Sequence, residues 1–284
     1  TDVHHEVADW YISDGEIIPD RWVDALIAAI NYVNSTYGYS MSDWAFVEVF
    51  NEPDWDWPVA TKSAMADIMA EYRTRPELDS IPLLGPSTLS SNSFQSWYSA
   101  TSQYTDICGT HVINGSLESL IGALNQSHAD GKPFLNPEIH NIVELMVQAN
   151  CSDHGFAGEG GIYWGEIDET RGIFSKALRG KRLGYKTHEP TWTAGSVYRE
   201  LEKRVWAFVA GNERNALNNR WKFRCMDRDV FFNSEGPMRS WEIDVGSHTE
   251  KHLEVTWSER APDFFTIYML NEGRDLRLSA ENGN

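Results

Sequence analysis

The sequence predicts a mixed α/β fold with a parallel sheet, followed by an all-β, sandwich-like module. Three observations carry this. Up to about Arg199, short apolar runs alternate with segments of helical periodicity, the order that builds βαβ units. From about Trp206 onward, short β-like runs follow one another across turns rich in Gly, Asn, Ser and Pro, which reads as an antiparallel sandwich with its boundary near residue 200. An apolar fraction of 41% and a charged fraction of 23% belong to a globular chain that can bury a core.

The elements follow in order. Asp2-Val-His-His-Glu6 reads as the tail of a strand. Arg21 to Tyr37 places Trp22, Leu26, Ile30 and Val33 at helical spacing behind Pro19-Asp20. Trp44 to Phe50 is a buried strand, and Thr61 to Tyr72 a helix. Strands are expected at Ile81–Gly85, Asp106–His111, Lys132–Asn136 and Gly161–Trp164, with helices at Ser93–Thr101 and Ser116–Ala129 between them. The β-like runs beyond the boundary are Val205–Val209, Arg220–Cys225, Asp229–Phe232, Ser240–Val245, Leu253–Trp257 and Phe264–Leu270.

Charge and cysteine content remove several function classes. With 24 Lys+Arg against 42 Asp+Glu the formal net charge is −18, and no basic stripe or cluster stands out, which argues against nucleic acid and anionic membrane surfaces as partners. No apolar run is long enough for membrane insertion as a helix. Three cysteines without C-x-x-C spacing exclude a disulfide scaffold and a Cys-rich zinc site. His4-His5-Glu6 lacks the second histidine of a zincin helix, so no metal site is read there. There is no nucleophile elbow and no phosphate loop. The unusual feature is 12 Trp in 284 residues, which suits either a Trp-rich core or a surface that stacks on ring-shaped ligands.

Two segments carry chemistry. In Glu48-Val-Phe-Asn-Glu-Pro-Asp-Trp55, Glu52 leaves the C-terminal edge of a buried strand, where parallel α/β proteins place their ligands. In Phe134-Leu-Asn-Pro-Glu-Ile-His-Asn141, Glu138 again ends a strand. A lone glutamate after a strand is commonly a helix cap or a surface acid. Two on different strands of one rim are what glycosidic-bond cleavage needs, one to protonate the leaving oxygen and one to attack the anomeric carbon or activate water. His111, at another strand end, could donate to Glu138 or to a sugar, or could be a packed core histidine. His140 could serve similarly, and His5 joins them if the first strand is real. Trp10, Trp55 and Trp57 lie close to rim positions, as sugar platforms or as core. Trp192, Trp206, Trp221, Trp241 and Trp257 read as core of the β module.

These segments resemble the retaining (β/α)8 glycoside hydrolases, a TIM-barrel clan whose two catalytic glutamates end strands four and seven. With Trp44–Phe50 as strand four, Glu138 falls on strand seven and Trp164 on the end of strand eight. Within the clan the chain looks most like the β-agarases and β-porphyranases of glycoside hydrolase family eighty-six. That likeness rests on Gly85-Pro-Ser-Thr-Leu89, Gly109-Thr-His111, Gly115-Ser116, Glu138-Ile-His-Asn141, Ile162-Tyr-Trp-Gly165, Thr170-Arg-Gly172, Tyr198-Arg199 and Asn212-Glu-Arg-Asn-Ala216. The resemblance implies Glu52 as general acid/base, Glu138 as nucleophile, Asn51 on the sugar 2-hydroxyl and Trp164 under the reacting sugar. From their rim positions, His111, His140, Trp55, Trp10 and His5 are the further candidate substrate contacts; a glycosidase needs no cofactor, and no metal is expected.

The expected activity is endo-acting, retaining hydrolysis of a β-linked polysaccharide, with agarose or porphyran first, in an extracellular or periplasmic setting. A β-xylanase, β-glucanase or mannanase of the same clan is the enzyme alternative, and a non-catalytic carbohydrate-binding relative the other. The −18 charge is awkward for a sulfated galactan, and arginines such as Arg21 and Arg171 would have to offset it. Residues 1–199 are too few for a complete barrel. They are expected to be its C-terminal part, lacking the first strands, with residues 200–284 as the accessory module.

Overall fold

The computed structural model describes residues 11–55, 57–151, 159–164, 169–199, 201, 205–211, 219–233, 235–245, 251–258 and 264–270. His4, His5 and Trp10 lie outside the described residues. The chain divides into two units, 1–138 and 139–284.

In the first unit, β1 (Ile12–Ser13) and β2 (Glu16–Ile17) pair antiparallel across Asp14-Gly15. Both turn residues have positive φ, 55° and 81°, which an Asp-Gly pair accommodates in a two-residue hairpin. Helix α1 (Pro19–Tyr37) starts with Pro19 in its first turn and stops at Gly38, whose φ of 76° lets its N–H close onto the Asn34 carbonyl at 2.9 Å. It buries Trp22, Val23, Leu26 and Ile30, the apolar stripe expected from their spacing.

Strand and helix then alternate: β3 (Val47–Glu48), α2 (Lys62–Tyr72), β4 (Leu83–Ser90), α3 (Phe94–Thr101), β5 (Ile107–Asn114), α4 (Leu117–Ala129) and β6 (Leu135–Ile139). Strands β3, β4 and β5 form one parallel sheet in that order, and a parallel bridge from Cys108 to Phe134 brings the lead-in of β6 beside β5. The fold is therefore α/β with consecutive parallel neighbours. Caps fix two of the helix starts: Thr61 Oγ1 accepts the Ala64 N–H at 3.0 Å, and Ser116 with Ser119 makes a reciprocal box. The core gathers Val47, Val49, Phe50, Leu83 and Ile81 from the sheet side with Trp22, Leu26, Met65, Ile68 and Met69 from helices. Trp57, one of the possible sugar platforms, belongs to this core instead, edge-on to Phe50 at 4.9 Å.

Gly109 marks the closest approach between β5 and the strand that carries Glu138. A Cβ built there would stand 2.6 Å from the Leu135 carbonyl oxygen, which is backbone and cannot swing away. Gly109→Ala should therefore cost about 1–3 kcal/mol. Because the strain falls beside β6, activity should drop even at temperatures where the variant stays folded. Chemical unfolding and a rate assay on the same preparation check both parts.

In the second unit, α5 (Ile142–Cys151), β7 (Gly160–Tyr163) and α6 (Glu169–Leu178) precede nine further strands: β8 (Lys181–His188), β9 (Thr193–Arg199), β10 (Val205–Gly211), β11 (Asn219–Cys225), β12 (Val230–Phe232), β13 (Glu235–Met238), β14 (Ser240–Val245), β15 (Lys251–Trp257) and β16 (Phe264–Leu270). A six-stranded sheet runs β13-β12-β16-β10-β9-β8 and a three-stranded sheet β14-β11-β15. The larger sheet crosses residue 200, joining β8 and β9 to β10. The sheets are mixed, not antiparallel throughout, because β10 and β12 each pair parallel with β16, and β11 pairs parallel with β15. Parallel neighbours cannot be joined by tight turns, so run-by-run reading of the sequence could not show them. Trp221, Phe223, Val255 and Trp257 meet Val197, Val209 and Phe232 in the core between the sheets. Trp241 packs against that core, whereas Trp192 and Trp206 are half-buried and stand outside it. No helix among the described residues is long and apolar enough to cross a membrane.

Candidate active site

The Asn51-Glu52-Pro53 segment owes its position to the early end of β3. Among the described residues, only Val47 and Glu48 pair with β4 on that side, at Leu83 and Leu84, so the upper half of β4 has no described strand beside it on that edge. The loop takes over that edge. Glu52 N–H donates to the Ser87 carbonyl at 3.0 Å, and the Asp54 carboxylate accepts from Leu89 N–H at 2.6 Å and Ser90 N–H at 3.2 Å. Glu52 and Ser87 both sit in the left-handed region, at φ of 52° and 51°. For a residue with a Cβ that conformation costs about 1–2 kcal/mol and persists only where the surroundings enforce it, a pattern that clusters at functional sites.

Glu52, from this loop, meets His111 of β5 and Glu138 of β6. His111 Nδ1 lies 2.9 Å from Glu52 Oε1 and 3.9 Å from Glu138 Oε2. The facing oxygens of the two glutamates lie within 4.8 Å of one another. Glu52 is buried with its side chain 7% exposed, His111 is 1% exposed and Glu138 is 24% exposed, so solvent reaches the cluster at Glu138. Glu138 N–H donates to the buried Asn136 Oδ1 at 3.1 Å, which steadies the backbone under the carboxylate.

Burial, the largest single influence on His111, pulls its pKa down, but the hydrogen bond to Glu52 and the charges of Glu48, Glu138 and Glu52 outweigh it and the pKa is raised. The raised pKa favours the protonated ring, with Nδ1–H donating to Glu52 Oε1. His111 Nε2 is buried and finds no hydrogen-bond partner among the described residues, and the same is true of Ser87 Oγ. The three facing atoms of Glu52, His111 and Glu138 are also near enough to one another to hold a metal ion. As a purely organic site, the arrangement can deliver a proton and present a second carboxylate on the other side of a scissile bond. Carboxyl groups roughly 5–5.5 Å apart belong to retaining hydrolysis and roughly 6.5–9.5 Å to inversion. Facing oxygens within 4.8 Å of one another are compatible with the shorter of these separations.

The remaining residues singled out from the sequence are distributed as follows. Asn51 is half-buried, one residue before Glu52. Trp55 is 62% exposed, and its N–H closes a turn onto the Glu52 carbonyl at 3.1 Å. In the second unit, Trp164 is 66% exposed; its N–H donates to the Ile139 carbonyl at 2.9 Å, and its indole meets the His140 ring edge-on at 4.7 Å. Glu138 lies near the end of β6, one residue before its last, so the strand runs three residues past the Lys132–Asn136 bounds expected from the sequence. The sequence assigned no role to Asp54 or Ser87, although both lie in quoted segments. Their importance is a matter of backbone hydrogen bonding and φ, which composition and spacing do not report.

No family model matches the chain. No curated protein matches it either. Among solved structures, a GH30 endoxylanase from Clostridium papyrosolvens C71 is similar at 18% identity with a TM-score of 0.49, over 80% of this chain and 66% of that one. An endo-β1,6-glucanase is similar at 12% identity with a TM-score of 0.41, over 81% of this chain and 62% of that one. The chain thus spans less than two thirds of either structure's length.

Proposed function

We propose that this chain is a retaining, endo-acting glycoside hydrolase of β-linked polysaccharides, with Glu52 as general acid/base and Glu138 as nucleophile. The observation that carries the reading is the convergence of Glu52 from the loop after β3, His111 from β5 and Glu138 from β6, which is bridged to β5 at Cys108 and Phe134. Strands β3 and β6 stand three neighbours apart, which on a flat sheet would separate them by about 14 Å at roughly 4.8 Å per strand. Carboxylates facing within 4.8 Å favour a sheet that curls inward, as a barrel wall does. The chemistry then follows in two displacements. Glu138 attacks the anomeric carbon while Glu52 gives its proton to the departing oxygen, leaving a glycosyl ester on Glu138. Glu52, now a carboxylate, takes a proton from water as that water attacks the anomeric carbon, breaks its bond to Glu138 and frees Glu138 as a carboxylate.

The exposed indoles of Trp55 and Trp164 are proposed as sugar-stacking platforms, His140 as the residue that orients Trp164, and Asn51 as a partner of the sugar 2-hydroxyl. His5 and Trp10 remain proposals of the sequence alone. Trp55→Ala and Trp164→Ala should each raise KM about tenfold, the order of one lost stacking contact, with kcat much less affected, as steady-state kinetics would show. A marine galactan is the first substrate to test. The net charge of −18 favours neutral agarose over sulfated porphyran. Parallel digestion of agarose, porphyran, xylan and carboxymethylcellulose, with and without a chelator, tests the reading. Release of internal oligosaccharides from one of them, unaffected by chelation, is expected. Binding without release by the wild-type chain would favour the carbohydrate-binding alternative.

A further inference from the structure

We propose that Asp54 is a positioning residue, the clamp that sets where Glu52 delivers its proton. The inference rests on the reading of Glu52 as general acid and goes beyond it by naming what holds the acid in place. Three observations converge. Glu52 is in a left-handed conformation that its own side chain disfavours, so something outside the residue must enforce it. The loop that carries it has left the ladder of β3 four residues earlier, so strand pairing does not enforce it. What ties the loop down is a set of hydrogen bonds to β4: one from Glu52 N–H to the Ser87 carbonyl, and two accepted by the Asp54 carboxylate from Leu89 and Ser90.

The Asp54 pair is the strong part of that set. An ionised carboxylate receiving two backbone N–H groups makes charge-assisted bonds, stronger than the single neutral bond at Ser87. Its partners are available because β4 is irregular there: its register against β5 shifts between Thr88 and Ser90, and among the described residues no strand lies on the other edge. Asp54 therefore does for this loop what a continued β3 would otherwise do. The turn closed by Trp55 N–H on the Glu52 carbonyl contains both anchored residues and is held with them. In the chemical step Glu52 gives its proton to the departing oxygen, which keeps the electron pair of the broken C–O bond. That transfer depends on the distance from Glu52 to the oxygen, and loosening of the loop by an ångström would degrade it first.

The dependence on the leaving group tests this. Phenolate is a poor leaving group that needs its proton, and dinitrophenolate leaves without one. Phenyl and 2,4-dinitrophenyl β-glycosides of the disaccharide repeat released in the digestion are compared, with kcat/KM measured for wild type, Asp54→Ala, Asp54→Asn and Glu52→Ala. Asp54→Ala is expected to lose about 10²-fold on the phenyl substrate, the scale of a small misplacement. On the dinitrophenyl substrate the loss should be roughly tenfold at most. Asp54→Asn keeps one acceptor oxygen and should fall between Asp54→Ala and wild type, which also covers the case in which the alanine variant does not fold. Equal losses on the two substrates, or none on either, overturn the clamp when Glu52→Ala does show the split. If Glu52→Ala shows no split, the reading of Glu52 as acid fails and the clamp fails with it.

Discussion

Glu52→Gln is expected to lower kcat/KM toward the polysaccharide by about 10²–10⁴-fold, the range that general acid–base catalysis supplies. Glu138→Ala should cost roughly 10⁴-fold or more, as removing a nucleophile that works with a partner does. Neither substitution should abolish binding. The glutamine is nearly the shape of Glu52 and can still meet His111, and Glu138 is the more exposed of the pair, so its truncation leaves a gap open to solvent and not a sealed void. Reducing-sugar release measures the first effect and retardation in a polysaccharide gel the second. Activity close to wild type in both variants would mean that the convergence of these carboxylates has nothing to do with hydrolysis.

The second large effect concerns His111, the buried ring between the two acids. His111→Gln should retain a donor toward Glu52 and lose the charge. Because the folded-state pKa of His111 is raised, its protonation stabilises the fold fully below the unfolded value of about 6.5, and that contribution is lost as pH rises through the raised folded value. The stability difference between wild type and His111→Gln should therefore be greatest on the acid side and shrink toward alkaline pH. Activity should fall by roughly 10–100-fold, the equivalent of one hydrogen bond to a charged group. Thermal unfolding of both proteins through this pH range gives the comparison. A difference that is flat in pH, or that grows as pH rises, would show that His111 is not held in its charged form.

How much of this could be read from the sequence depends on what each feature rests on. Helix α1 was legible because Trp22, Leu26 and Ile30 repeat at helical spacing between a Pro and a Gly. Strands β4 and β5 were legible because apolar runs stand between helical stretches. The pairing of Glu52 with Glu138 was reachable by counting parallel strands, since neighbours in such a sheet follow chain order. Helix α5 was not, because almost every residue from Ile142 to Asn150 is buried and no polar face reveals the period. Strand β8 reads Lys-Arg-Leu-Gly-Tyr-Lys-Thr-His and sits at a sheet edge, where its lysines suit an exposed border but hide the alternation. The hairpin at Asp14-Gly15 had its signal in plain view. The left-handed Glu52, the shortness of β3 and the Asp54 clamp are properties of hydrogen-bond partners that are distant in sequence, and residue types alone do not carry them.

The most direct test of a retaining mechanism is the anomeric configuration of the first product, followed by proton NMR from the moment of mixing with the polysaccharide or its oligosaccharides. Glu138 as nucleophile inverts the anomeric carbon once and water inverts it again, so the β-anomer should appear first and the α-anomer only later, by mutarotation. An α-anomer appearing first would mean a single displacement by water and would contradict the roles given to Glu52 and Glu138.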